Sequence, residues 1–167
     1  MSPPKNPELA DVQEESYKHA SKTTLEAYPE SKAMDSNELK EFLSKKIYAV
    51  LATTRPDGRA HATPIAFFFW NNSFWIASVE GTRLRNLRKN PWASIVIFEG
   101  EPPKKHQAVM AEGQVIIHEG DMMREILSVQ EFSDLATKKY GRAPDWASAF
   151  VELEPKRIFS YDANKEK

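Results

Sequence analysis

Gly81, Thr82 and Arg83 open a short basic segment, 82–90, whose residue types can hold an anion. A helix starting there offers unpaired backbone N–H groups and the positive end of the helix dipole. Thr82 adds a hydroxyl, and Arg83 adds a guanidinium able to grip a phosphate through two hydrogen bonds. Taken alone, the segment fits equally an N-cap followed by a solvated charged face, which is the commoner arrangement. Pro64 shifts that balance. It stands inside an apolar strand, where a residue without an N–H cannot complete a ladder and so marks an edge, a bulge or an interruption. Backbone groups at Thr63 and Ile65, beside this gap, are then expected to be free to meet a ligand.

Other chemistry is sparse. His19, His61, His106 and His118 have no metal-type spacing and no companion ligands, so no metal site is expected. His61 could donate a hydrogen bond beside the Pro64 site, although a surface role is the commoner one. Glu152 and Glu154 alternate with Val151 and Leu153, which makes them the solvated side of a strand before they are a catalytic pair. There is no Gly-x-Ser-x-Gly, no Walker-type loop and no dinucleotide fingerprint. The absence of cysteine removes disulfides, thiolate metal sites and cysteine nucleophiles together. The aromatic run Phe67, Phe68, Phe69 and Trp70 could offer stacking surface, but its uniformly apolar character reads as core and dimer interface.

The elements that must position these residues are legible. Arg55-Pro56-Asp57-Gly58 places Pro and Gly as a tight turn wants them, so 47–54 and 59–70 should fold back as a hairpin. Asn71-Asn72 closes a second hairpin onto 74–76, because Asn tolerates positive φ. Further strands are expected at 93–98, at 107–118 with a bulge or close backbone approach at Gly113, and at 149–159. Before the first strand, Asp35 or Ser36 caps a helix. Glu38 stands where a capping box needs it, and Leu39, Phe42 and Leu43 share one face. Pro91 stops the basic helix, and Asp121 starts a helical region that ends at Gly141.

Six strands with short connections and few helices fit a small antiparallel barrel. The 167 residues suffice for one core, giving a domain over 35–163, a Pro- and charge-rich N-terminal arm over 1–34 and a charged tail over 164–167. In the arm, Leu9, Val12 and Tyr17 could form a weak helix or pack on a partner subunit. The net charge of −1 gives no global field for nucleic acid or an anionic membrane. No apolar run approaches the length of a membrane span, and the N-terminal residues lack the apolar core of a secretion signal, so a soluble cytoplasmic protein is expected.

The segments Tyr48-Ala-Val-Leu-Ala-Thr-Thr-Arg-Pro-Asp-Gly-Arg-Ala-His-Ala-Thr-Pro-Ile and Phe74-Trp-Ile-Ala-Ser-Val-Glu-Gly-Thr-Arg-Leu-Arg-Asn-Leu-Arg-Lys-Asn-Pro-Trp-Ala-Ser resemble the core of the pyridoxamine 5'-phosphate oxidase-like flavin-binding proteins. The likeness spans roughly residues 39–119. It implies a mainly β, six-stranded antiparallel split β-barrel with short flanking helices that forms a homodimer and holds FMN at the subunit interface. By that resemblance Thr63, Pro64 and Ile65 would line the isoalloxazine, and Ser78, Thr82 and Arg83 would hold the phosphate. Gln107 is a match near the ring that falls one position out of step when Gly113 is aligned. Trp146 and Arg157 would reach over from the other subunit. One departure stands out: the family's true oxidases carry basic residues along the second strand, whereas 62–68 here has no Lys or Arg. Pyridoxal phosphate synthesis is therefore not the expected activity.

The leading expectation is an FMN-dependent oxidoreductase acting on a small-molecule substrate, with no side chain marked as an acid or base. A deazaflavin coenzyme on the same fold is the alternative cofactor. From another class, a small barrel with a basic helix could bind single-stranded nucleic acid, against which stand the near-neutral charge and the confinement of the basic cluster to one helix. A haem-degrading relative would need an axial ligand that none of the histidines convincingly supplies.

Overall fold

The computed structural model describes residues 6–101, 103 and 106–165. The first residues of the expected arm, Pro102 of the loop after the fourth expected strand and the end of the expected tail lie outside the described residues. The chain forms α1 (Leu9–Lys18), α2 (Lys22–Ala27), a 3₁₀ turn (Glu30–Lys32) and α3 (Ser36–Lys45), then β1 (Tyr48–Thr54), β2 (Ala60–Ala66), β3 (Phe68–Trp70) and β4 (Ser73–Ser78). There follow α4 (Thr82–Lys89), β5 (Trp92–Glu99), β6 (Gln107–His118), α5 (Asp121–Leu127), α6 (Gln130–Tyr140) and β7 (Ala149–Asp162).

All strands belong to one antiparallel sheet in the order β2-β1-β5-β6-β7-β4-β3, curled into a split barrel. The sheet has seven strands rather than the six expected. The difference lies in 59–70, expected as one strand, which breaks at Phe67. The N–H of Phe67 still bonds Ile47 O at 2.9 Å, but from Phe68 onward the chain pairs with β4 instead of β1. One continuous stretch thus passes from the first edge of the sheet to the last and draws the two together. Burial drives the break: Phe67 enters the barrel core, while Phe68 joins a second apolar cluster with Trp75, Phe132 and Phe150.

Local signals hold where they are chemical. Asp35 Oδ1 accepts from Glu38 N at 2.9 Å and Glu38 Oε2 accepts from Asp35 N at 2.7 Å, completing the capping box on α3. Asn71 and Asn72 adopt φ of 52° and 58° in the β3–β4 turn. At Gly113 the register of β6 on β7 shifts, and an added Cβ would lie 1.8 Å from Glu154 O, so only glycine fits this crossing.

The N-terminal segment is more structured than an arm. Helix α1 lies against β7 with Leu9 in the barrel core. Its Gln13 donates to Met34 O at 2.8 Å, and Ser16 Oγ accepts from Ile158 N at 3.0 Å. Asn6, just before it, donates to Ser73 Oγ at 2.8 Å. Glu152 also departs from expectation: it is buried, accepting from Ser73 Oγ at 2.8 Å and meeting His118 Nε2 at 3.0 Å, because its face of β7 lies under the second apolar cluster.

Candidate functional site

The curl brings the edge strand β2 close to β4, and side chains span the seam between them. Arg83, in the first turn of α4, donates to Ser78 Oγ on β4 at 3.2 Å and to Thr63 Oγ1 on β2 at 3.3 Å. Tyr140, at the end of α6, accepts from Ala77 N at 2.8 Å and donates to Ala66 O at 3.0 Å. These four bonds tie β2 to β4 where no backbone ladder does.

Arg83 has no carboxylate within ion-pair distance among the described residues, and its buried Nε has no partner. Burial draws its guanidinium below the ordinary value, partly opposed by the nearby Tyr140. A half-buried cation held only by neutral hydroxyls is poorly compensated, which makes this corner receptive to an anion. The start of α4 reinforces it: Gly81 caps without a side-chain bond and the first turn has no acidic residue. Burial also pushes the Tyr140 phenol up to about 12, against the opposing effects of the Ala77 amide and Arg83.

Trp146 completes the corner. Its ring meets Tyr140 edge-on at 5.5 Å, and its buried Nε1 is a second donor without a partner. It belongs to the loop whose Ser148 N bonds Ser78 O at 2.9 Å, which holds it at this seam of its own chain.

The backbone of β2 is exposed differently from expectation. Phe67 with Ile47 and Arg55 with Arg59 are hydrogen-bonded pairs of the β1–β2 ladder, so by alternation Thr63 and Ile65 are too. Their N–H groups are therefore committed to β1. The groups facing the open edge are those of Ala62, Pro64 and Ala66, and proline is the residue that loses nothing by having no N–H there.

The remaining candidates separate. Thr82 points away from the Arg83 corner: its Oγ1 accepts from Arg85 at 3.1 Å and lines a basic cleft on the other side of the helix start. Gln107, at the far end of β6, pairs with Glu99 and Asp162 and does not reach Arg83 within one chain. Arg157 lies on the outer face of the sheet, 3.9 Å from Glu112 and over the Phe159 ring. That face also presents Tyr48, Trp92 and Phe98, which are 74%, 42% and 65% exposed. No group of three or more His, Asp or Glu side chains converges on a metal-sized site among the described residues. Nor is any helix among them long and apolar enough to cross a membrane.

The sequence profile of pyridoxamine 5'-phosphate oxidases matches residues 36–162. The chain belongs to this family. No curated protein sequence matches it. Among solved structures, a conserved hypothetical protein of Mycobacterium tuberculosis is similar at a TM-score of 0.71 and 21% identity, covering 83% of this chain and 91% of its own. A FAD-binding protein of Mesorhizobium loti follows at 0.63 and 17%, covering 79% and 97%. The heme storage protein HutZ of Vibrio cholerae aligns at 0.60 and 21%, covering 75% and 93%. At such identities the likeness concerns the fold. Within it, the corner residue that sequence reading missed is Tyr140, and the cations Arg55, Arg59 and Arg85 line a separate cleft. The run Arg55 to Arg59 carried a signal for the cleft, whereas nothing local marks Tyr140.

Proposed function

We propose that the protein is a homodimeric FMN-dependent oxidoreductase, with the cofactor phosphate at the Arg83 corner. The observation that carries the reading is the part-buried Arg83 guanidinium, bonded among the described residues only to Ser78 and Thr63 and with its Nε unpartnered there. An FMN phosphate would supply the missing negative charge, and the α4 backbone would add N–H donors. Pro64 would flank the isoalloxazine along the open edge of β2, with Ile65 behind it in the core, and Trp146 Nε1 has no partner among the described residues and would donate to the cofactor. The bound flavin would supply the two-electron chemistry, and the protein its binding and orientation. No side chain at the corner is an evident acid or base, since Tyr140 stays protonated at neutral pH.

Pro64 also faces the side of the sheet that carries Tyr48, Trp92, Phe98 and Arg157. A second copy docked on this face would cover exposed aromatic surface and bring its own side chains to the cofactor's open side. Gln107 and Arg157 are assigned to the site only through such a copy. The test is to purify the protein, record its absorption spectrum, release the ligand by heat and identify it by mass spectrometry. FMN at about one per chain is the expected result. A deazaflavin would replace the cofactor while keeping the site, and a protein that neither carries nor takes up any flavin would overturn the reading.

A further inference from the structure

A second basic feature lies outside the Arg83 corner. The Arg55–Arg59 turn and one face of α4 enclose a cleft of about 540 Å³ lined by Arg55, Asp57, Arg59, Arg85, Arg88 and Lys89, with Thr82 at its edge. Residues 82, 85, 86 and 89 recur at helical spacing, so this side of α4 faces the turn as a continuous surface. Asn86 anchors it by donating to Thr53 Oγ1 of β1 at 3.0 Å.

Two of the cations are neutralised within the fold. Arg59 pairs with Asp57 at 2.7 Å, and Arg88 pairs with Glu80 and Glu119 at 2.5 and 2.9 Å. Arg55, Arg85 and Lys89 have no carboxylate within ion-pair distance among the described residues, and Arg55 and Arg85 feel Asp57 and Glu80 only at longer range. The helix dipole accounts for Lys89 in the last turn but opposes Arg85 in the first. Three unneutralised cations from two separate elements converge on one concave space, in a chain whose net charge is −1.

We propose that this cleft binds a diphosphate group, carried by a nucleoside diphosphate or by free pyrophosphate, independently of the flavin. A monophosphate brings about −2 at most, too little for three cations, whereas a diphosphate approaches their sum. The volume lies in the range of small-ligand sites. Nucleic acid fits less well, because the lining has no aromatic side chain on which bases could stack.

The test is calorimetric titration of the full-length protein, saturated with FMN, using pyrophosphate, ADP and orthophosphate in turn. Pyrophosphate or ADP is expected to bind at least about tenfold more tightly than orthophosphate. The double variant Arg55→Glu/Lys89→Glu should lose at least about tenfold of that affinity while keeping FMN affinity within about threefold, since its changes are screened from the Arg83 corner by solvent. Binding by ADP but not pyrophosphate assigns the group to a nucleotide, and binding by both leaves the diphosphate itself as the determinant. The proposal is overturned if neither binds, if the double variant binds as the parent does, if Arg83→Ala abolishes the binding, or if single-stranded DNA binds more tightly than ADP. Failure of FMN itself to bind leaves the same titrations decisive on flavin-free protein, so the two readings fail separately.

Discussion

At the scale of single residues two side chains cross the barrel seam, and they make different demands. Arg83 is a charge without a counter-charge among the described residues, so its removal should barely disturb the fold yet strip the proposed phosphate contact. Arg83→Ala is expected to weaken FMN binding by about 1.5–3 kcal/mol, roughly 10- to 150-fold in Kd, read by quenching of flavin fluorescence. Unchanged affinity would take Arg83 out of the site. Tyr140 is a neutral hydroxyl that the fold keeps neutral. Its folded-state pKa is raised to about 12, so stability is complete below the ordinary phenol value near 10, falls as pH rises between the two, and levels off above. The full loss from this group is about 2–3 kcal/mol. Tyr17, also raised to about 12 by burial, contributes in the same direction. Tyr140→Phe should therefore flatten, without abolishing, the fall in urea-unfolding free energy between pH 10 and 12, while lowering stability at pH 8 by leaving Ala77 N and Ala66 O without their partner. The Arg83 corner was readable from sequence because Gly-Thr-Arg before a Pro-terminated helix is a local pattern. The same pattern expects Thr82 at this corner, whereas its Oγ1 turns toward Arg85, since neighbouring helical residues point about 100° apart. Tyr140 was not readable, because only the folding of α6 onto the sheet brings it to β2 and β4.

At the scale of elements, the sequence announced its strands through turns and alternation, and it hid whatever depended on polar burial. Helix α1 buries Leu9, Gln13, Ser16 and Tyr17, a stripe at helical spacing that hydrophobicity does not mark because Gln13 and Ser16 are polar. Their burial makes sense only with Met34, Ile158 and Ser160 opposite them to accept and donate. The break at Phe67 was hidden for a related reason: a run of aromatic residues offers no polar face to show where the chain changes partner. Gly113 was the reverse case, since a glycine inside a strand has few explanations. Gly113→Ala should cost about 2–4 kcal/mol, because its Cβ would strike the Glu154 carbonyl rather than a movable side-chain end. Gly81→Ala meets nothing within 4 Å and should cost less than ~1 kcal/mol. Urea denaturation of the two variants measures the contrast, and equal losses would mean that β6 and β7 are not crossed as tightly as described.

For the whole molecule, one face of the sheet is finished and the other is not. The interior is filled from β1 to β7, with α1 packed against β7 and its Leu9 in that core, but the outer side of β1 and β5 leaves Tyr48, Trp92 and Phe98 in solvent. Scattered exposed aromatics need no explanation, whereas three on one continuous face do. That face runs to Pro64 on the open edge of β2, so the surface a second copy would cover and the edge a flavin would occupy are contiguous. Assembly and cofactor binding should therefore be linked: whatever weakens one weakens the other by mass action. Phe98→Glu puts a charge on this face, beside Tyr48, without touching Arg83, Ser78 or Thr63. Light scattering should give a mass falling from twice the 19.1 kDa chain to the chain itself, with FMN affinity reduced in step and partly recovered as protein concentration rises. A parent protein that is monomeric at tens of micromolar and still binds FMN stoichiometrically would separate the two properties, and would leave the Arg83 corner complete within one chain.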